Sequence, residues 1–215
     1  MGAEWHGDRR YRIQSEPTMD FGGIFVTSWS RLWITFISAR SVGRAPWPVL
    51  RLGMIIRPAV DADLDAILAI HNDAILNSTA LWTDDVVPRS DREEWLASRT
   101  AAGDAVLVAM EDDQVAGYAA YAPWRAKYGY RNTVEDSVYL AAPFQGRGFG
   151  RSLLLALIEH ARTAGHHVML ADIESGNAAS IRLHESLGFV EVGRLREIGT
   201  KFDRWLDLTI LQLDL

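Results

Sequence analysis

A mixed β-sheet with helices on its faces is the fold this sequence predicts, and three observations carry it. From Met54 onward, strand-like alternation and helix-like spacing of apolar residues follow one another in a regular pattern. The resulting elements come in the order β-α-α-β-β-β-α-β-α-β-β. A glycine-rich turn, "QGRGFG" at 145–150, then joins an alternating strand to an amphipathic helix.

Each element has a local reason. "MIIRPA" reads as a short strand, and in "DADLDAILAIHNDAIL" the residues Leu64, Ile67, Leu68, His71 and Ile75 fall on one helical face. "NSTALWTDDVVP" has no period and reads as a loop. Ser90, with Glu93 three residues on, predicts a capping box for the helix "DREEWLASRTAA", which Gly103 closes. "AVLVAME" and "VAGYAAYAP" flank the turn residues "DDQ" and predict an antiparallel hairpin. In "TVEDSVYLAA", alternation puts Val134, Asp136, Val138 and Leu140 on one face and Thr133, Glu135, Ser137 and Tyr139 on the other. After the glycine turn, Leu153, Leu154, Leu157, Ile158 and Ala161 form the core-facing stripe of a helix. The strand "HVMLADIE", the helix "AASIRLHESLG" and the strands "FVEVGRL" and "WLDLTILQLDL" complete the chain.

Composition limits the function. At 215 residues and 48% hydrophobic content the chain can bury one sizeable core. A net charge of −6 and only two lysines, Lys127 and Lys201, argue against a nucleic-acid partner. With no cysteine there is no disulfide scaffold, thiolate metal site or cysteine nucleophile. Residues 1–53 carry seven arginines against four acidic residues, a balance of +3, which leaves −9 for residues 54–215. The run "GIFVTSWSRLWITFIS" in that first segment is interrupted by Arg31 and falls short of the ~20 apolar residues of a membrane span. It does not follow the pattern of a secretory signal either. The expected division is an extension over 1–53, disordered or preceding a true start at Met54, and one folded domain over 54–215. An accessory or membrane-surface element is the other reading of 1–53. A cytoplasmic location is expected.

The glycine turn has three phosphate-binding alternatives. A P-loop needs Lys then Ser or Thr after its last glycine, and this chain has Arg151 and Ser152. A dinucleotide fingerprint needs G-x-G-x-x-G in a first βα turn, whereas Gly146, Gly148 and Gly150 follow G-x-G-x-G after several strands. There remains a helix N-terminus whose amides and dipole favour a pyrophosphate, with charge from Arg147 and Arg151, or else a plain turn.

Gln145-Gly146-Arg147-Gly148-Phe149-Gly150 resembles the coenzyme A loop of the GCN5-related N-acetyltransferase superfamily. Together with "NAASIRLHESLGF" and "GTKFDRWLDLTILQLDL", it resembles the phosphinothricin and methionine-sulfone acetyltransferase branch over residues 54–215. The resemblance implies that superfamily's α/β fold, a mostly antiparallel twisted sheet with helices on both faces, and acetyl-CoA as co-substrate without a metal. It implies that Val138, Tyr139 and Leu140 pair with the pantetheine arm, that the loop from Gln145 to Arg151 holds the phosphates, and that Asn177 and Ser186 touch the coenzyme. A homodimer is expected on the same ground.

The chemistry can be argued alongside. Moving an acetyl group from a thioester to an amine needs a neutral amine, a stabilised oxyanion and a proton for the thiolate. Without cysteine, direct attack in a ternary complex is the economical route. Glu135 matches the family's catalytic glutamate and is the expected base, against the reading of an ordinary strand carboxylate. Backbone amides near Val138 and Tyr139 are candidate oxyanion donors. His184 stands where many relatives have a tyrosine that protonates the thiolate, against a packing role. The other histidines have no metal-ligand spacing. For the acceptor, Arg125, Lys127, Tyr130 and Arg131 in "WRAKYGYRN" offer groups that bind carboxylates and tetrahedral oxoanions. Trp82 either walls the acceptor pocket or belongs to the core. The expected acceptor is a small amino-acid analogue such as phosphinothricin, methionine sulfone or methionine sulfoximine. A different amine (a protein N-terminus or a polyamine) and a non-catalytic acyl-CoA sensor are the alternatives.

Overall fold

A computed structural model describes residues 53–215, and the expectations for residues 1–52 lie outside them. Seven strands form one sheet in the order β1-β2-β3-β4-β5-β7-β6. The strands are β1 (Met54–Pro58), β2 (Val106–Glu111), β3 (Gln114–Pro123), β4 (Thr133–Leu140), β5 (Val168–Glu174), β6 (Val190–Lys201) and β7 (Arg204–Asp214). The helices are α1 (Leu64–Asn77), α2 (Arg89–Ala102), α3 (Phe149–Thr163) and α4 (Ala178–Glu185). Every neighbouring strand pair is antiparallel except β4 and β5.

The alternation read in β4 sorts the two layers. Val134, Val138 and Leu140 pack with Leu153, Leu154, Leu157, Ile158 and Ala161 of α3. A fully buried Val, Leu or Ile among them contributes roughly 1.5–3 kcal/mol. Tyr139 lies on the opposite face with Tyr118 of β3 and with Ile67 and Ile70 of α1. In α1 the stripe runs through Leu64, Ile67, Ile70 and Ile75, and Leu68 and His71 are only half-buried.

Both hairpins close on two-residue turns with left-handed backbone, which matches the twist of the strands. Asp112 and Asp113 have φ of 47° and 62°, and Gln114 already belongs to β3, paired with Glu111. Phe202 and Asp203 (φ 51° and 55°) close the second, where Lys201 pairs with Arg204. β6 thus runs six residues past the expected Leu195, with an irregularity at Glu197 (φ 50°).

The expected capping box is corrected. α2 starts at Arg89 after the extended Pro88, no side chain caps it, and Ser90 lies inside the first turn. Glu93 instead pairs with Arg89 at 3.5 Å, and Gly103 (φ 77°) ends the helix as expected. Among the described residues, no helix is long and apolar enough to cross a membrane.

Candidate active site

The site begins where two parallel strands part. β4 and β5 pair over only three positions, Thr133–Val168, Val134–Met169 and Glu135–Leu170. Beyond Glu135, β4 stays paired with β3 as far as Leu140, and β5 stays paired with β7 as far as Glu174. A wedge therefore opens between them, and backbone from Asp136 to Leu140 edges it. An open strand edge is a ready partner for an extended amide-bearing chain. Val138, Tyr139 and Leu140 stand on this edge, the carbonyl of Leu140 accepting from Gln145 Nε2 at 3.4 Å.

Both connections that leave the wide end of the wedge carry expected coenzyme residues. After β4 the chain turns through Gly146 (φ 69°) and Gly148 (φ 93°), and Gly148 is the N-cap of α3. A side chain at either glycine would meet open space, so backbone conformation is what selects glycine there. Gly150 has another reason: a β-carbon would come 3.3 Å from Leu183 and 3.5 Å from Leu140, so it seats α3 against β4 and α4. The helix's first backbone bond runs from the Ser152 N–H to the Gly148 carbonyl (3.1 Å), which leaves the amides of Phe149, Gly150 and Arg151 facing the turn. Arg151 is exposed there. The charge of Arg147 is shared with Glu111, which its guanidinium meets at 2.6 and 2.8 Å. After β5, Asn177 caps α4, its side chain accepting from the Ser180 amide at 3.1 Å. Ser186 lies at the other end of α4 with its hydroxyl donated to the Leu183 carbonyl at 2.7 Å.

Glu135 sits at the apex of the wedge, at the last rung shared by the two strands. Burial, reinforced by the charges of Asp172 and Asp136, pushes its carboxyl up to about 7. Such a group exchanges a proton near neutrality.

His184 lies on the other face of β4 and is only 3% exposed. Its Nδ1 is 2.8 Å from the Ser180 carbonyl and its Nε2 3.1 Å from Asp136 Oδ1. Both partners present acceptor oxygens, and a ring protonated on both nitrogens can donate to both. Burial favours the neutral ring, but the Asp136 carboxylate and the Ser180 carbonyl outweigh it and raise the histidine above its usual value. These two contacts join α4 to β4, and among the described residues Asp136 Oδ2 has no hydrogen-bond partner.

On the Glu135 face of β4 lies a cavity of about 230 Å³ between the sheet and helices α1 and α2. Its walls include Ser137 and Tyr139 of β4 and Ala122, the cross-strand neighbour of Glu135. Arg92, Trp95 and Arg99 of α2, His71 of α1, Leu81, and Tyr118, Ala120 and Tyr121 of β3 also line it. Arg92 is 11% exposed, stacks 4.8 Å over the Trp95 ring and meets Asp91 at 2.8 Å through its Nε. Arg99 pairs with Asp104 at 3.2 Å. His71 Nδ1 lies 2.9 Å from the Tyr118 hydroxyl, and burial beside Arg92 pushes the ring down to about 4, so it is neutral at pH 7. Burial raises Tyr139 to about 12. The cavity is therefore aromatic and polar, and each of the two α2 guanidiniums in its wall is paired with a carboxylate, Arg92 with Asp91 and Arg99 with Asp104.

The acceptor residues expected from the sequence do not line this cavity. Arg125, Lys127, Tyr130 and Arg131 are all exposed. Arg125 stacks on Trp124 at 4.3 Å and Arg131 on Tyr128 at 4.4 Å, while Tyr130 meets Trp124 edge-on at 5.1 Å. Of these, Arg125 also acts on Asp172, the carboxylate that neighbours Glu135 electrostatically. Trp82 is half-buried and is not among the residues lining the cavity, and its Nε1 donates to the Thr79 carbonyl at 3.0 Å. The cavity residues went unread because α2 was taken only as a capped helix. Their spacing was a usable signal, since Arg92, Trp95 and Arg99 at i, i+3 and i+7 share one helical face.

With this geometry in hand, the comparisons with known proteins can be placed. The sequence model of the acetyltransferase (GNAT) family matches residues 67–189. The chain is 51% identical over 162 residues to the L-amino acid N-acyltransferase MnaT of Escherichia coli (strain K12), covering 75% of this chain and 94% of that one. It is 52% identical over 161 residues to an L-methionine sulfoximine/L-methionine sulfone acetyltransferase of Pseudomonas aeruginosa, covering 74% and 94%. Among solved structures, an acetyltransferase from Salmonella typhimurium with its cofactor acetyl-CoA superposes with a TM-score of 0.75 at 50% identity, over 75% of this chain and 94% of that one.

Proposed function

This chain belongs to the acetyltransferase (GNAT) family and is an N-acetyltransferase, and from that premise we propose that it acetylates the α-amine of a small amino-acid analogue by direct attack in a ternary complex. The analogue is of the methionine sulfone, methionine sulfoximine or phosphinothricin type. The observation that carries the reading is Glu135, at the last shared rung of β4 and β5 and lifted to about 7 by burial, with an open strand edge on one side and the cavity that Arg92 lines on the other.

The residues fit the co-substrate. The amides at the start of α3 and the left-handed glycines suit a pyrophosphate, and the unpaired edge of β4 suits the amides of a pantetheine arm. When bound, acetyl-CoA supplies an acetyl group activated as a thioester. Glu135 takes one proton from the ammonium of the acceptor, directly or through water; the freed lone pair forms the C–N bond as the C–S bond breaks, and the amine's second proton leaves with the coenzyme thiolate. The amides of Val138 and Tyr139 are assigned the oxyanion. His184 is assigned a positioning role, because both its ring nitrogens are already used.

Acceptor choice follows from the cavity walls. Arg92, hydrogen-bonded to Asp91 through its Nε and one Nη, still brings a guanidinium to the wall that can donate to a carboxylate or a sulfone-type oxygen, with Trp95 and Tyr139 against the aliphatic part. Arg92→Ala should therefore raise the acceptor KM by about 10–10²-fold while the acetyl-CoA KM holds. Arg131→Ala, whose guanidinium lies on Tyr128 in solvent, should matter less. An equal or larger effect at Arg131 would move the acceptor to the basic loop.

The test of the function is a panel of amines assayed by thiol release from acetyl-CoA. Turnover on at least one of the three analogues is expected, with methionine much poorer, since a thioether leaves buried donors unpaired at about 1–3 kcal/mol each. Activity confined to polyamines or peptide N-termini would refute the acceptor assignment.

A further inference from the structure

Of the two lysines in this chain, Lys127 is exposed and Lys201 is 2% exposed. Lys201 ends β6, on the sheet edge opposite β1. Its ammonium donates to the carbonyls of Ile75 and Leu81, both at 2.5 Å, and lies 4.9 Å from the Phe202 ring centre. An ammonium removed from water needs such acceptors, and a carbonyl in the last turn of α1 is a good one because the negative end of the helix dipole is there.

What the lysine holds matters for the cavity. Residues 78–88 form neither helix nor strand, yet Leu81 of this segment lines the cavity. The next residue, Trp82, lies so close to β6 that a β-carbon on Gly199 would fall 2.0 Å from its Cε3. Two other ties are visible: the Asn72 side chain bonds the N–H and carbonyl of Val87 at 3.0 Å each, and Thr79 donates to Glu174 at 2.9 Å. Near Leu81 the segment is held by the β6 end alone among these ties.

We propose that Lys201 is a positioning residue for the acceptor: by fixing the Leu81 carbonyl from β6, it sets one wall of a cavity that it does not itself line. This rests on reading that cavity as the acceptor site. Acceptor affinity then depends on the β6–β7 hairpin, far along the chain from α1 and α2.

The test is steady-state acetyl transfer to methionine sulfone by the full chain and by two variants. Lys201→Gln weakens the tie to Leu81 but keeps a donor, and Gly199→Ala leaves the lysine in place and pushes on Trp82. In both, the acceptor KM should rise at least about tenfold while the acetyl-CoA KM stays within about twofold. An unchanged acceptor KM in Lys201→Gln, parallel rises in both KM values, or loss of acetyl-CoA binding in calorimetry would each mark Lys201 as an ordinary packing residue and overturn the proposal. A wild-type chain that transfers acetyl to no amine would instead overturn the acetylation reading, before any variant is made.

Discussion

Replacing Glu135 with glutamine is expected to lower kcat by about 10²-fold or more at neutral pH, with little change in acetyl-CoA binding. Glutamine keeps the shape and the place at the last shared rung of β4 and β5 but cannot accept the ammonium proton. The pH profile gives a second reading of the same residue. The carboxyl titrates near 7 because burial disfavours its charge and Asp172 and Asp136 add repulsion. The charged form is the base, so the wild-type rate should rise with pH through about 7 and then level, falling about tenfold per unit below it. The glutamine variant should lose that inflection. A wild-type rate in the variant across pH would assign the proton to another group.

Replacing Gly148 with valine is expected to raise the acetyl-CoA KM by about tenfold or more and to spare the acceptor KM. Two effects point the same way. At φ 93° a β-branched residue is strained by about 1–3 kcal/mol, which would deform the turn at the N-cap of α3. The β-carbon would also enter the open space that a phosphate must occupy to reach the first amides of the helix. Isothermal titration with acetyl-CoA checks this on a variant whose circular dichroism matches wild type. An unchanged dissociation constant would remove the loop from the coenzyme site.

Much of this was legible in the sequence because local patterns agreed with long-range packing. β4 alternates cleanly because α3 covers one of its faces and α1 with α2 covers the other, so the strand that carries Glu135 announced itself. Gly148 was legible because its backbone needs φ above zero. Ser90 was misread because α2 starts at Arg89 with the extended Pro88 as its N-cap, two residues earlier than the Ser-Glu pattern implied. The second half of β6 escaped because "REIGTK" breaks its alternation at Glu197. The cavity escaped for a deeper reason: His71, Leu81, Arg92 and Tyr139 meet only in three dimensions, whereas the basic loop around Arg131 is contiguous and so drew notice first. Lys201 shows the same limit, since its two carbonyl partners lie 126 and 120 residues away.

The most direct measurement mixes the full chain with acetyl-CoA and methionine sulfone and follows both products, free thiol by absorbance and the acetylated amino acid by mass. Glu135 at the apex of the wedge, beside a cavity lined by Arg92, predicts one thiol released for each N-acetylated molecule, at a rate that saturates in both substrates. Tight binding of acetyl-CoA with no thiol release on any amine would contradict it, and would make the chain a sensor of the coenzyme instead of a catalyst.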